Sequence, residues 1–430
     1  MTPPPNSIPW RNSPPFSPPS CGTLSDASHS LDLQFGKRPS DPSIDPTFID
    51  LIDALDTMMQ PPAKRMSFSR KKWDGYKAYV ATGSEIVDWL IQHSFAYTTE
   101  AATEFARQLV KMSGLIPTFR VDTSDKSFLP TTSATYVHRG LSLMSQHGLN
   151  VSIAFPGKTR DIISILSELN DTFAQVCHTG VSVDGHFVEY SAIRGSAAWR
   201  RALSLLIELA KCDDSNITTA SADFKKASFY NLYNLLIFHA KLVYGHPTDL
   251  LKRSSFFNEA AYMIAGKYIT SVELEHFVCR KTMPATDDRV TWMLAEKDPR
   301  MHFILNCGAQ SCPPLLPLDV DNVETLLQKA TENFIENNCE VDVKARRVTL
   351  SRLWKWFRPD FTPSSTSDAD LIKWIAERAS KTKSLQLAEL TSKDFKIKFK
   401  PYNWADNGEV NAKPDIRFMA VYDLSFSRTV

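Results

Sequence analysis

Residues 225–243 constrain the fold most strongly, because their pattern predicts one long helix that is apolar on nearly every side. The stretch 228–240 carries no acidic or basic residue apart from one His, although it includes two Asn and two Tyr. Its 13 residues are too few to cross a bilayer, which takes about 20 apolar residues. We therefore expect this helix to be buried inside a domain that surrounds it.

From residue 158 to about 407 the chain mixes helical and strand patterns around this helix. Further helices are predicted at 162–173, 197–211, 353–357 and 370–379. Strands are predicted at 301–307, 347–350 and 393–400. In the last of these, Lys alternates with apolar residues, which is typical of a half-exposed strand with a basic outer face. The mixture indicates a multidomain α+β protein.

Proline is concentrated at the N-terminus, where 13 of the 26 prolines fall within the first 62 residues. This segment has few aliphatic residues before Phe48, so it cannot bury enough apolar surface to offset its chain entropy. We expect residues 1–65 to form a disordered tail. Within that tail, the apolar stretch 48–55 could form a transient helix or dock on a partner.

A basic cluster surrounds Ser67 and Ser69 after the tail. It consists of Lys64, Arg65, Arg70, Lys71 and Lys72. One hypothesis is that these residues bind anionic lipid at a membrane surface, where each contributes about 1 kcal/mol. Phosphorylation of either serine would then weaken binding. The alternative is a solvated linker that carries a run of charge.

Residues 68–138 predict a small helical bundle with a β-arm. A helix is expected at 83–91, with Ser84 as its N-cap and apolar residues on one side. A second helix is expected from 98 or 99 to 112, and Gly114 is placed to end it.

Two short apolar runs, 115–119 and 127–129, predict a β-hairpin after the second helix. Together with the run GSEIVDWL at 83–90 and the apolar pattern at 106–109, they resemble the DEP domain, a module of intracellular signalling proteins. The resemblance implies a winged-helix type of fold. It also implies recruitment to membranes, through acidic lipids or through receptor tails.

The densest group of polar residues lies within 298–315. There, His302, Asn306 and Cys307 interrupt an apolar run, and Gly308 with a later Pro-Pro pair forces a turn. Side chains at a strand end followed by a tight turn are well placed to line a cleft.

Two further polar groups lie in apolar helical surroundings: Asn234 with His239, and Glu275 with His276. Burying polar groups costs desolvation free energy, which a purely structural core usually avoids. We therefore expect a binding site in this part of the chain. The residues predicted to bind are Asn234, His239, Arg300, Asn306 and Cys312.

Residues 181–407 resemble the family of domains of unknown function number 547. The matching pieces are FYNLYNL at 229–235, EH at 275–276 with Arg280, DPRMHFILNCGAQSCPPL at 298–315 and YNW at 402–404. The resemblance implies no particular reaction. Because similar modules occur joined to DEP domains, it implies an intracellular regulatory role.

Three interpretations of the polar residues are open. In the first, the larger domain is a cysteine-dependent hydrolase or transferase, in which a thiolate attacks and a neighbouring imidazole lowers the thiol pKa. The predicted catalytic residues are Cys307, His302, His276 and Glu275, with Cys312 as the other candidate nucleophile and His239 as another candidate base.

The second interpretation is a zinc site, because His276 with Cys279, or Cys307 with Cys312, offers nitrogen and sulfur ligands at nearly the spacing of structural zinc. No paired CxxC knuckle is present, so we expect no metal. The sequence also lacks GxxxxGK[ST] and HExxH motifs, and we expect no cofactor.

The third interpretation is structural, with cysteines buried as small apolar residues and polar groups hydrogen-bonded in the core. Arg300 would then pair with Asp298, Glu275 or Asp360. Asn234 would hydrogen-bond to loop backbone.

These patterns give the expected organisation. The predicted regions are a tail at 1–65, a DEP-like domain at 68–138, a helical connector at 139–180, a mainly helical α+β domain at 181–407 and a C-terminal extension at 408–430. Because 49 Lys and Arg balance 48 Asp and Glu, we expect no nucleic-acid partner.

The seven cysteines form an odd, scattered set, and no secretory signal pattern is present at the N-terminus. We therefore expect free thiols and a cytoplasmic protein, with peripheral membrane association as an option. The expected function is a signalling or scaffold protein, recruited to a membrane or receptor by the DEP-like module. Its larger domain would bind a partner or small ligand. A cysteine-dependent enzyme is the alternative.

Overall fold

The computed structural model describes residues 48–58, 66, 69–73, 76–112, 114–117, 128–138, 148–151, 153–392 and 394–408. The N-terminal tail before Phe48, the basic residues Lys64 and Arg65, and the extension after 408 lie outside the described residues. The described part combines helices with three small sheets, which confirms the predicted α+β class.

The regular elements are numbered here in chain order. The strands are β1 (Ser69–Trp73), β2 (Tyr76–Thr82), β3 (Leu115–Pro117), β4 (Thr135–His138), β5 (Ala261–Ile264), β6 (Lys267–Thr270), β7 (Cys339–Asp342), β8 (Arg347–Leu350) and β9 (Lys396–Phe399). The helices are α1 (Phe48–Met58), α2 (Gly83–Gln92), α3 (Thr99–Lys111), α4 (Ile162–Gly180), α5 (Tyr190–Arg194), α6 (Ala197–Leu209), α7 (Ala222–Tyr244), α8 (Leu250–Glu259), α9 (Ser271–Glu273), α10 (Val323–Asn338), α11 (Leu353–Trp356), α12 (Arg358–Phe361), α13 (Asp368–Ala376) and α14 (Lys381–Thr391).

The N-terminal module is an antiparallel sheet in the order β1-β2-β4-β3, packed with α2 and α3. Helix α2 begins at a capping box. Thr82 Oγ1 accepts the Glu85 N–H at 3.3 Å, and the Glu85 carboxylate accepts the Thr82 N–H at 2.8 Å. The N-cap is therefore Thr82, one turn before its reciprocal partner, and the prediction of Ser84 is wrong.

The predicted hairpin is also wrong in its second strand. Strand β3 pairs with β4, while Phe128 and Leu129 belong to no strand. Pro130 follows directly and has no N–H to donate to a sheet, whereas β4 offers β-branched and aromatic residues. Phe128 instead packs in the core, with its ring centroid 4.7 Å from that of Tyr136.

Helix α1 lies in the segment predicted to be a disordered tail. Leu51, Ile52, Leu55 and Met58 are buried, and the helix contacts α3 and α6. A Cβ on Gly114 would lie only 2.6 Å from a methyl carbon of Leu55. Helix α1 is therefore an ordered part of the fold, because other parts of the same chain cover its apolar face.

Helix α7 is the long buried helix that the sequence predicts. Every residue from 227 to 241 is buried, and α7 packs against α4 and α10. Hydrophobic burial on all sides fits a helix at the centre of a domain. Within the described residues, no helix is both long and apolar enough to span a bilayer.

The strand predicted at 301–307 is wrong. Pro299–Phe303 form a 3-10 helix, which begins where Asp298 Oδ1 accepts the Arg300 N–H at 3.0 Å. The chain then continues in irregular structure to Gly308. An Asp cap followed by Pro at the first helical position favours a helical start, even though the next residues are apolar.

A small sheet lies near the C-terminal end of the described chain. Strands β7 and β8 are antiparallel, and β9 adds to β8 in parallel. Lys396 and Lys398 are exposed, while Ile397 and Phe399 are half-buried, which confirms the predicted half-exposed strand.

Candidate functional site

Cys307 and Cys312 bring two thiols together on the loop that follows the 3-10 helix. Their sulfur atoms are 3.2 Å apart, and the Cys307 N–H lies 3.3 Å from Cys312 Sγ. Gly308, at φ +84°, supplies the left-handed conformation that turns the loop back on itself. Cys312 is buried and Cys307 is half-buried, so the pair lies just below the surface.

Asparagine side chains fix the backbone of this loop. Asn234, on the buried helix α7, donates to the Ile304 carbonyl at 3.1 Å and accepts the Asn306 N–H at 2.9 Å. Asn306 in turn donates to the Pro313 carbonyl at 2.7 Å and accepts the Gly308 N–H at 2.8 Å. Asn234 thus makes the loop-backbone hydrogen bonds predicted for it.

Lys241 is a further positioning residue that the sequence analysis missed. Its buried ammonium donates to the Gly308 carbonyl at 2.9 Å, to Asp406 at 2.5 Å and to Asn407 Oδ1 at 3.1 Å. These bonds tie the cysteine loop to the C-terminal segment. The available signal was a Lys directly after the uncharged stretch 228–240, inside a helix predicted to be buried.

Tyr402 contacts both sulfurs and was also missed. Its hydroxyl lies 3.2 Å from Cys312 Sγ and 3.9 Å from Cys307 Sγ. Two tryptophans flank the phenol: its ring centroid is 5.0 Å from that of Trp356 and 4.6 Å from that of Trp404. Trp356 is 41% exposed, so this aromatic edge next to the thiols faces solvent.

The surroundings make the two thiols chemically different. Burial alone would raise the pKa of Cys312, but hydrogen bonds from the Cys307 thiol, the Tyr402 hydroxyl and the amides of Ala309 and Cys307 lower it from 9.0 to about 6. Donating that hydrogen bond, together with burial, raises the pKa of Cys307 well above its ordinary value. The surroundings therefore favour ionisation of the pair at Cys312 and disfavour it at Cys307.

Glu275 lies in the same neighbourhood, on the single π-helical turn Leu274–Cys279 that follows α9. Burial, with a smaller contribution from the negative charge of Cys312, raises the pKa of its carboxyl to about 7, although Arg280 and the Tyr233 hydroxyl act to lower it. The Tyr233 hydroxyl donates to Glu275 at 3.3 Å. Glu275 can therefore hold or release a proton near neutral pH.

The predicted histidines do not pair with the thiols. His302 donates to Asp360 at 2.8 Å, the Nδ1 atom of His276 accepts from Arg280 at 2.5 Å, and His239 lies 3.2 Å from the Tyr262 hydroxyl. Among the described residues, no hydrogen bond joins any of these rings to Cys307 or Cys312. Burial lowers the pKa of each ring, and that of His239 falls to about 3.

Asp360 is the centre of a separate polar cluster. It accepts from Arg280 at 2.6 Å, from Lys297 at 2.8 Å and from His302. Its charge thereby joins α12 to the π-helical turn and to the 3-10 helix. His302 also stacks on Phe357 at 3.9 Å between ring centroids. The predicted base His302 is therefore held by a carboxylate, away from hydrogen-bonding reach of the sulfurs.

The other predicted residues fall outside the thiol site. Arg300 pairs with Asp298 at 2.6 Å, as one alternative predicted, and also with Glu324 at 2.6 Å.

Part of the basic cluster lies in a strand. Arg70, Lys71 and Lys72 belong to β1, so this part of the basic cluster has strand backbone and is not a linker. In the described ranges, no three His, Cys, Asp or Glu side chains are placed to hold a metal ion.

Comparison with protein-family models finds one match, at residues 217–335, to the family described as Protein of unknown function, DUF547. The matched stretch includes α7, the π-helical turn and both cysteines of the site, whereas Tyr402 lies beyond it. No curated protein and no solved structure matches the chain. The resemblance to the DEP domain stays a prediction. The predicted resemblance to this family is thus confirmed for residues 217–335, a shorter range than the predicted 181–407.

Proposed function

We propose that the larger domain is a cysteine-dependent hydrolase or transferase in which Cys312 is the nucleophile. One observation carries the proposal: Cys312 Sγ lies 3.2 Å from both the Cys307 thiol and the Tyr402 hydroxyl. Donors placed in this way stabilise a thiolate, and the thiolate is the attacking form of cysteine.

Glu275 takes the role that the sequence analysis gave to a histidine. The Cys312 thiolate attacks an electrophilic carbon of the substrate, and protonated Glu275 supplies the proton to the leaving group. The Glu275 carboxylate then accepts a proton from the incoming water or acceptor, which releases the group bound to sulfur. The exposed Trp356 next to Tyr402 offers apolar contact area to a substrate.

Alkylation kinetics test the nucleophile. The full chain is treated with iodoacetamide across about pH 5–9, and the labelled cysteines are identified by peptide mass. We expect a fast-reacting cysteine with a midpoint near pH 6, as the pKa of Cys312 indicates. Cys312→Ser should remove this phase, while Cys212→Ser, which changes a buried thiol whose pKa is raised to about 12, should retain it. A single midpoint at the ordinary value for thiols would refute the proposal.

A signalling role is the second candidate and is compatible with the first. The sheet order β1-β2-β4-β3 with two packed helices supports a DEP-like, winged-helix module. In this proposal the module recruits a cytoplasmic protein to an acidic membrane surface or to a receptor, and the larger domain binds or modifies a partner or small ligand there. No nucleic acid takes part.

Vesicle sedimentation of the full chain tests recruitment. We expect binding to vesicles that contain phosphatidylserine and none to vesicles of phosphatidylcholine alone. Lys64→Glu with Arg65→Glu should abolish it, whereas the matched charge reversals Lys344→Glu with Lys381→Glu should not. If both variants still bind the acidic vesicles, or if the wild type binds both kinds of vesicle equally, the lipid-binding form of this proposal is contradicted.

A further inference from the structure

Cys307 and Cys312 are placed for chemistry with each other as well as with a substrate. Their sulfurs are 3.2 Å apart, whereas a disulfide bond is ~2.05 Å long, so an approach of about 1 Å would join them. Both residues lie on one short loop that turns at Gly308, and neither sulfur takes part in a disulfide in the structure. The two groups that a disulfide needs are thus already in contact.

The remaining described cysteines lack such a partner. Burial raises the pKa of each of their thiols, and no pair of sulfurs among them is in contact within the described part of the chain. These cysteines are Cys177, Cys212, Cys279 and Cys339. Exchange with a disulfide depends on the fraction of thiolate and on access, so it should select the pair on the loop.

We propose that Cys307 and Cys312 form a reversible intrachain disulfide by exchange with a low-molecular-weight disulfide of the glutathione type, and that this modification switches the site off. The inference rests on the proposed function to the extent that the modification removes the nucleophile of the proposed enzyme. Formation of the disulfide itself requires only the geometry of the pair.

The exchange balances with the oxidant as its second reactant. The Cys312 thiolate attacks one sulfur of the small disulfide, and the first small thiolate leaves. The Cys307 thiol then gives its proton to that thiolate and attacks Cys312 Sγ in the mixed disulfide, which expels the second small thiolate. Cys307 and Cys312 are oxidised by two electrons, and the small disulfide is reduced to one thiol and one thiolate.

Contact with Cys312 gives Cys307 the role of the resolving thiol. Its sulfur lies 3.2 Å from Cys312 Sγ, within reach of a mixed disulfide formed there. Bracing of the loop backbone by Asn234 and Lys241 keeps the two sulfurs together after reduction, so the thiolate form is restored when a reducing thiol returns.

The test equilibrates the full chain with reduced and oxidised glutathione in varied ratio, traps free thiols with a maleimide and maps the peptides by mass. In the wild type we expect joint loss of the Cys307 and Cys312 adducts and the appearance of one peptide cross-linked between them. Cys307→Ser should stop at a mixed disulfide between Cys312 and glutathione. Cys279→Ser, which changes a buried cysteine outside the pair, should behave as the wild type.

The outcomes separate this inference from the proposed function. Retention of both thiols, or stable mixed disulfides without a cross-link in the wild type, would overturn it. A cross-link that forms while alkylation of the reduced chain has no midpoint near pH 6 would support the disulfide and remove the proposed nucleophile. An alkylation midpoint near pH 6 without a cross-link would support the proposed nucleophile and overturn the disulfide.

Discussion

At the scale of single residues, the phenol of Tyr402 is one of the donors that lower the pKa of Cys312, after the Cys307 thiol. A hydrogen bond to a charged group contributes about 1.5–3 kcal/mol, which corresponds to roughly one to two pKa units. Tyr402→Phe keeps the ring between the tryptophans and removes only the donor. We expect the pKa of Cys312 to rise from about 6 by at least one unit, and iodoacetamide alkylation at pH 6 to slow about fivefold or more.

The control for this change is Tyr97→Phe, because Tyr97 is 55% exposed and far from the thiols in sequence. It should leave the alkylation profile unchanged. An unaltered profile in Tyr402→Phe would mean that the Cys307 thiol and the backbone amides suffice to stabilise the thiolate, and Tyr402 would lose its assigned role.

The buried carboxyl of Glu275 should make the stability of the chain depend on pH. Its pKa is raised from 4.5 to about 7 by burial, so the folded chain binds a proton there that the unfolded chain has lost. The contribution of this group to the free energy of unfolding is fully present below pH 4.5. It falls as the pH rises towards 7, because ionising a buried carboxyl is unfavourable. Glu275→Gln should therefore gain stability relative to the wild type across this interval, measured by urea unfolding.

The comparison needs a carboxyl at the surface. Glu377→Gln removes an acid whose side chain is 54% exposed, and its stability at each pH is the reference for Glu275→Gln. If the gain in stability of Glu275→Gln over the wild type does not increase between pH 4.5 and 7, Glu275 is ionised throughout this interval and cannot act as the proposed acid.

At the scale of elements, Asp360 joins three short segments that have little stability of their own. Burial alone would raise its pKa, but hydrogen bonds from His302, Arg280 and Lys297 outweigh it and hold the pKa well below 3.8. This stabilisation is present above pH 3.8 and is lost as the pH falls through the lower pKa of the folded state. Asp360→Asn should destabilise the chain by about 3–5 kcal/mol at neutral pH in urea unfolding.

The matched change is Asp368→Asn, which breaks the pair with Arg358 at a position where the carboxylate is 53% exposed. It should cost about 1 kcal/mol or less. Equal losses in the two variants would mean that Asp360 contributes no more than a surface ion pair.

The sequence predicts individual helices better than the contacts between distant segments. The buried helix α7 follows from composition alone, and the capped start of α2 is recognisable locally even though the cap is Thr82. The thiol site is different, because Tyr402 lies 90 residues from Cys312 and Lys241 reaches Asp406 across the fold. Contacts of this kind depend on how elements pack, which no local pattern determines. The strand predicted at 301–307 is wrong for another reason: the apolar residues there fit a strand, but the Asp298 cap and Pro299 favour a helical start.

At the scale of the whole molecule, α1 links the N-terminal module to the larger domain. It lies before the module in sequence, yet it contacts both α3 of the module and α6 of the larger domain. The segment after the module is also tied to the larger domain, since the amide side chain of Asn150 donates to the Leu206 and Met263 carbonyls at 2.6 and 2.8 Å. Because the two parts share a buried surface, a change in α1 should alter the packing of both parts.

Leu55→Ala tests that coupling. Leu55 is 1% exposed, so truncation leaves a cavity in the shared core and should cost about 2–5 kcal/mol in urea unfolding. Leu250→Ala, at a residue that is 74% exposed, should change stability by about 0.5 kcal/mol or less. If α1 couples the two parts, Leu55→Ala should also increase amide hydrogen exchange in both α3 and α6, because each loses packing against the helix. Faster exchange confined to α3 would mean that the larger domain is stable without α1, and the N-terminal module would then be an independent unit.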